Sequence, residues 1–121
     1  STGLAQTIAD NRLAYKAFVT NIGADYETPS YNASDYILGA HRYLNLSDNR
    51  SYSMKELFSV MLINKSRIKS DETYVEFDNR VENIPVPLVI DDFESCAHPG
   101  KHDGDKVVET ILNLYRANLS L

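Results

Sequence analysis

The segment Cys96-Ala97-His98-Pro99-Gly100-Lys101-His102-Asp103-Gly104-Asp105 brings a thiol, two imidazoles and two carboxylates into one short stretch. All of these are ligand types for zinc or another transition metal. A closed structural site takes four ligands, usually as two short-spaced pairs, and the spacing here is not that of a zinc finger. A polar loop leading into a helix attracts the same residues, because aspartate caps helices. The segment therefore reads as a solvated loop, and no metal is expected. Cys96 with His98 or His102 would make a nucleophile pair, but neither an orienting third group nor a family signature accompanies it.

Three other constellations are weaker. Asn45, Ser47, Asn49, Ser51, Ser53 and Glu56 fall at the oxygen positions of a calcium loop, but Arg50 stands where that loop needs glycine and only Glu56 is anionic. Asp91-Asp92-Phe93-Glu94 offers paired carboxylates without the concave, partly desolvated surroundings that acid–base work requires. None of the five glycines builds a phosphate-binding loop. No enzyme is expected, and no catalytic residue, cofactor or small-molecule substrate.

For nucleic acid, the candidates are Lys55, Lys65, Arg67, Lys69 and Arg80. Phosphate backbones attract clustered lysine and arginine. Here the net charge is −5, and on a helical wheel the cations scatter while Glu56, Asp71 and Glu72 dilute them. DNA binding is expected to be weak or absent, and the same overall field opposes an anionic membrane surface. No apolar run approaches the ~20 residues of a membrane span. The one cysteine, Cys96, excludes an intramolecular disulfide and leans toward a reducing compartment. Five Asn-x-Ser sequons, at Asn32, Asn45, Asn49, Asn64 and Asn118, read as chance in an Asn- and Ser-rich chain.

The elements that would position these groups follow from periodicity and caps. Leu4, Ile8, Tyr15, Phe18, Val19 and Ile22 recur at helical spacing and predict a first helix over Leu4 to Ile22, closed by Gly23. Ala24 to Tyr31, with Pro29, reads as a loop. A second helix starts near Asn32 or Ser34, carries Tyr36, Ile37, Ala40, Tyr43 and Leu44, and ends in the turn-rich Asn45 to Asn49. Ser53-Met54-Lys55-Glu56 matches a capping box and opens a third helix to about Lys69. That helix is apolar on more than one side, with Leu57, Phe58, Met61 and Ile68 in one stripe and Val60, Leu62 and Ile63 outside it.

The period then changes. Tyr74-Val75-Glu76-Phe77 and Val81-Glu82-Asn83-Ile84 alternate about Asp78-Asn79-Arg80, which predicts a β-hairpin. Leu88 to Ala97 is open between strand and helix. Val89, Phe93 and Cys96 favour a short helix with Pro87 at its first turn. Asp105 caps a last helix, Lys106 to about Leu119, whose buried face is Val107, Val108, Ile111, Leu112, Tyr115 and Leu119. The expectation is one α+β domain over residues 1–121, mainly helical, with four to five helices and a hairpin.

Helix, helix, capped helix and hairpin is the layout of a winged helix. The segments that carry it are Arg12-Leu13-Ala14-Tyr15-Lys16-Ala17-Phe18, Ser53 to Ile68 and Tyr74 to Ile90. In this order the chain resembles the C-terminal winged-helix domain of the origin-recognition AAA+ ATPases and of their budding-yeast silencing relative. The resemblance implies a nuclear chromatin setting. In the initiators the wing and recognition helix contact DNA; in the silencing relative the domain is a protein-interaction and dimerisation module. Acidity and an apolar third helix favour the second role, with other chromatin proteins as further partners. A second likeness joins His98-Pro99, Val107-Val108 and Tyr36-Ile37-Leu38-Gly39 to small helical immunity proteins that neutralise bacterial toxins, which would place the chain in the bacterial periplasm or cytoplasm. Those usually carry cysteine pairs, and this chain has one cysteine.

The functional expectation is thus a protein-binding, self-associating module. Val60, Leu62 and Ile63 are its interface candidates, because a single small domain has trouble covering both sides of the third helix.

Overall fold

The run Val60-Met61-Leu62-Ile63 is a strand, not a stretch of helix. In the computed structural model, which describes residues 3–24, 31–69 and 73–119, β2 (Val60–Asn64) is the middle strand of a three-stranded sheet. β1 (Ala17–Val19) and β3 (Leu88–Asp91) flank it, and both pair with it in parallel. The register sets Phe18 beside Met61 and Ile63 beside Ile90.

Four α-helices surround the sheet among the described residues: α1 (Leu4–Asp10), α2 (Ala33–Asp48), α3 (Met54–Leu57) and α4 (Gly104–Leu119). A 3-10 helix spans Asn79–Asn83. The α+β expectation holds, with more residues in helix than in strand.

The period of two along each strand divides the core into two layers. Phe18, Met61, Ile63 and Leu88 face a cluster that includes Ala5 and Ala9 of α1, Ile37 and Leu44 of α2, Met54 and Leu57 of α3, and Val81 of the 3-10 helix. Ala17, Val19, Val60, Leu62 and Val89 face the other cluster, with Ile22, Tyr74 and Phe93, which Val107, Ile111 and Leu114 of α4 cover from outside. The sheet is therefore sandwiched. A parallel strand buried on both faces has no polar side to show, so its sequence is a continuous apolar run. This accounts for the predicted third helix: a helix apolar all round and a doubly buried strand look alike over five residues.

The capping box forms as expected. The Ser53 N–H donates to Glu56 Oε1 at 2.9 Å and the Glu56 N–H to Ser53 Oγ at 3.3 Å. It opens only the single turn of α3, and Phe58 leaves in extended conformation. The first predicted helix likewise divides. It ends at Asp10, and Ala17–Val19 form edge strand β1, because the Lys16 carbonyl accepts from the Ser59 N–H at 2.7 Å and draws this segment onto β2. Gly23 does not cap a helix; it makes an antiparallel bridge to Tyr74.

No hairpin forms over Tyr74 to Ile84. Tyr74 bridges Gly23, Glu76 bridges Asn32, and Asn79–Asn83 coil as the 3-10 helix. Neither a recognition helix nor a wing exists among the described residues, so the layout behind the winged-helix resemblance is not the layout of this fold. Leu88–Asp91 resolves as strand.

The second and last helices form close to the expected bounds. The Asn32 N–H donates to Asp35 Oδ2 at 2.8 Å at the start of α2, and Asn49 closes it with φ of 53°, a left-handed cap. α4 is capped by Asp103, not Asp105, with Asp103 Oδ1 accepting from the Lys106 N–H at 3.2 Å. The loop expected over Ala24 to Tyr31 and the diluting charges Asp71 and Glu72 lie largely or wholly outside the described residues.

Candidate functional site

The interface expected at Val60, Leu62 and Ile63 does not exist as a surface. Their exposures are 1%, 0% and 1%. All three are sheet interior, and a partner has no access to them. The sequence signal was real, but the surface that covers it is the protein's own second layer.

The DNA-contact candidates are dispersed. Lys55 lies on α3 near the amino ends of β1 and β2, beside Arg12 and Lys16. Lys65 and Arg67 line a concavity of about 360 Å³ beyond the carboxyl end of β2, with Phe77 and Ile90. Arg67 pairs with Glu76 and stacks 5.6 Å above the Tyr74 ring. The Lys69 N–H donates to the Tyr74 hydroxyl at 2.9 Å. Arg80 donates to Asp78 and Asp35, both at 3.0 Å, so its charge is committed to the start of α2. These five cations make no common stripe.

The carboxyl end of the sheet holds the most buried carboxylate among the described residues. Glu94 is 6% exposed. Its Oε2 accepts from the Tyr74 hydroxyl at 2.5 Å and from the Gly100 N–H at 2.7 Å, and its Oε1 from the Ile68 N–H at 3.0 Å. Burial alone pushes its pKa up, but the hydrogen bonds from Tyr74, Ile68, Gly100 and Ser66 outweigh burial and hold it below the ordinary glutamate value. Its oxygens are filled by the protein itself. Glu94 ties the loop after β2 to the loop that leads into α4. It is a structural hub, and the paired-carboxylate reading of Asp91-Asp92-Phe93-Glu94 does not apply, since Asp91 turns instead to Lys106 at 3.3 Å.

The polar loop before α4 is spread in the same way. Cys96 is exposed and free, and His102 Nε2 lies 2.9 Å from the Thr20 carbonyl, in a bond that fixes the ring against β1. Among the described residues no three His, Cys, Asp or Glu side chains are grouped for a metal.

The surface that periodicity misassigned is the outer side of α4. The sequence predicts one broad buried face, but two stripes exist. Val107, Ile111 and Leu114 pack on the sheet layer. Val108, Leu112, Tyr115 and Leu119 are exposed by 56%, 44%, 38% and 65%. None of the 16 residues of α4 is fully buried. The spacing of the exposed stripe is four, three, four, which is the a/d repeat of a helix that packs against another helix. Asp105, Glu109 and Arg116 run along its border and line a shallow concavity of about 260 Å³ with Val108 and Leu112.

Comparison with protein-family models, with curated proteins and with solved structures finds no match. No helix among the described residues is long and apolar enough to cross a membrane.

Proposed function

We propose that this domain is a protein-binding module that pairs with a second copy of itself through the outer face of α4. One observation carries the reading: four large apolar side chains, Val108, Leu112, Tyr115 and Leu119, are exposed in a single heptad-spaced stripe. Scattered exposed apolar residues are ordinary, whereas a contiguous patch bordered by charge marks a contact surface.

Charge order selects the partner. If 108 and 115 take d positions and 112 and 119 take a positions, then Glu109 and Arg116 both fall at e. In an antiparallel pair, e faces e. Glu109 of one copy then meets Arg116 of the other, and the two-fold axis repeats the pair. A parallel arrangement would not make this match. A two-fold, self-complementary contact is also the commonest form of assembly. A helix of 16 residues spans about 24 Å, so the face is small and the dimer is expected to dissociate at roughly micromolar concentration.

The reading is of a binding module rather than an enzyme, in keeping with a buried carboxylate, Glu94, whose hydrogen bonds are all internal. DNA reading and a chromatin setting are not part of it. The recognition helix and wing that implied them correspond to β2 and to a segment ending in a 3-10 helix.

The test is mass by light scattering across a concentration series, with Leu112→Asp as the disrupting variant. Leu112 is 44% exposed, so the charge leaves the core untouched. The expected result is a concentration-dependent dimer that Leu112→Asp abolishes while circular dichroism stays unchanged. A monomer at millimolar wild-type protein ends the proposal, as does a dimer that Leu112→Asp leaves intact.

A further inference from the structure

The chain carries a net charge of −5, yet one concavity gathers three cations around a single carboxylate. Between the end of α1, the turn before β1 and the single turn of α3 lies a hollow of about 270 Å³ lined by Arg12, Lys16, Lys55, Glu56 and Ser59, with Ala9 and Ala14. Lys16 immediately precedes β1 and Ser59 immediately precedes β2, so the hollow sits at the amino ends of two paired strands.

The one carboxylate is already engaged. Glu56 Oε1 accepts the Ser53 N–H, at 2.9 Å, in the capping box. That backbone bond first, and the nearby charges of Arg12 and Lys16 in addition, keep it ionised below the ordinary glutamate range. Lys16 is pinned in place by its Nζ donating to the Glu56 carbonyl at 2.8 Å and by its N–H donating to Ser59 Oγ at 2.8 Å. Ser59 Oγ is thus oriented as an acceptor, with its own hydrogen left to donate. Among the described residues, the side chains of Arg12 and Lys55 have neither an ion pair nor a hydrogen-bond partner. Like charges gathered in a concavity repel one another, and an anion relieves that repulsion while taking charge-assisted hydrogen bonds.

We propose that this hollow binds a compact, multiply charged oxyanion, a phosphate or pyrophosphate group, through Arg12, Lys55 and the Ser59 hydroxyl, with Lys16 as a fixed positive charge. The guanidinium fork suits two phosphate oxygens and the ammonium supplies a point charge. The volume suits a small phosphate compound. An extended nucleic acid would meet the acidic remainder of the surface, and the other cations that could follow a backbone lie elsewhere on the molecule.

The probe is inorganic pyrophosphate, titrated into the whole 15N-labelled chain at low ionic strength. Sodium chloride of equal ionic strength and oligothymidine serve as the comparison arms. Saturable shifts are expected at the amides of Lys16, Lys55, Glu56 and Ser59, absent with chloride. Arg12→Gln and Lys55→Gln should each weaken binding about tenfold, the worth of one charge-assisted bond, while Lys65→Gln leaves it unchanged. Both replaced side chains are exposed, and the same spectra report whether each variant remains folded; if Arg12→Gln does not, Lys55→Gln decides. Absence of saturation by roughly 10 mM, a weak limit on the affinity scale, overturns the proposal. So do shifts that neither variant weakens. Binding of oligothymidine at the same amides, tighter per phosphate than pyrophosphate, would overturn the compact-ligand assignment.

Discussion

The Tyr74 hydroxyl and the Glu94 carboxylate meet at 2.5 Å across the carboxyl end of the sheet, although 20 positions separate them in the chain. Tyr74 bridges Gly23 on one side, and Glu94 bridges His102 on the other. Through this contact the segments after β1, β2 and β3 are fastened to one another, and α4 is held at the position from which it covers Val60 and Leu62.

Loss of the Glu94 charge should therefore loosen the whole carboxyl end. Glu94→Gln keeps the shape but cannot accept at both oxygens, and it should cost roughly 2–4 kcal/mol in urea unfolding. The pH dependence has a definite sign. The carboxyl of Glu94 is held below its ordinary value in the folded state, so the unfolded chain binds its proton first as pH falls. Its contribution is complete above the ordinary glutamate value and fades as pH drops through the lower folded one. The stability gap between the wild type and Glu94→Gln should be constant from about pH 7 to about pH 5 and narrow below that. A gap that widens in acid would contradict the assignment.

Within β2, a charge should unfold the protein instead of dissociating a complex. Val60→Asp and Ile63→Asp put a carboxylate into sites 1% exposed. Leu62→Ala, a gentler change at a site with no exposure, should cost about 2–5 kcal/mol by cavity formation. Chemical denaturation of Leu62→Ala and circular dichroism of the two aspartate variants check this. Folded monomers from either aspartate variant would mean that β2 is not the centre of the sheet.

On α4, charge reversal tests the antiparallel geometry. Glu109→Arg alone and Arg116→Glu alone should each weaken the dimer, because each makes two like-charge contacts per two-fold pair. The double reversal should restore association to within about threefold of wild type, since exposed pairs carry only about 0.2–1 kcal/mol each. Sedimentation equilibrium on the four proteins measures this directly. Additive weakening in the double variant would exclude the antiparallel register.

At the start of α2, Asp78 serves as an external cap. It accepts from the Ser34 N–H at 3.0 Å and from the Ser34 hydroxyl at 2.5 Å, and it binds Arg80 at 3.0 Å. Burial raises its pKa, and the bonds from Ser34 and Arg80 lower it further than burial raises it. Asp78→Ala leaves the fully buried Ser34 without its partner and should cost about 1–3 kcal/mol. Hydrogen exchange should show the loss concentrated in the first turn of α2, and an effect spread evenly over the chain would argue against a local cap.

The local signals were legible and the partnerships were not. The helices α2 and α4 and the Ser53–Glu56 capping box follow from residues within a few positions of one another, because caps and amphipathic stripes are short-range interactions. The polar loop before α4 belongs to the same class. The β part of the α+β class was expected in a hairpin and stands instead in a parallel sheet. What decides between strand and helix for Val60 to Ile63 is not in that window. The run is apolar on every side under either reading, and only Ala17–Val19 and Leu88–Asp91, arriving from about 40 residues before and about 30 after, supply the hydrogen bonds that make it a strand. The same holds for function. The sequence sets out an apolar surplus on the third predicted helix and one broad apolar face, read as buried, on the last. Tertiary structure buries the first under two layers and leaves Val108, Leu112, Tyr115 and Leu119 largely outside, because α4 is the outermost layer on its side of the sheet among the described residues and meets that sheet through its other stripe, Val107, Ile111 and Leu114.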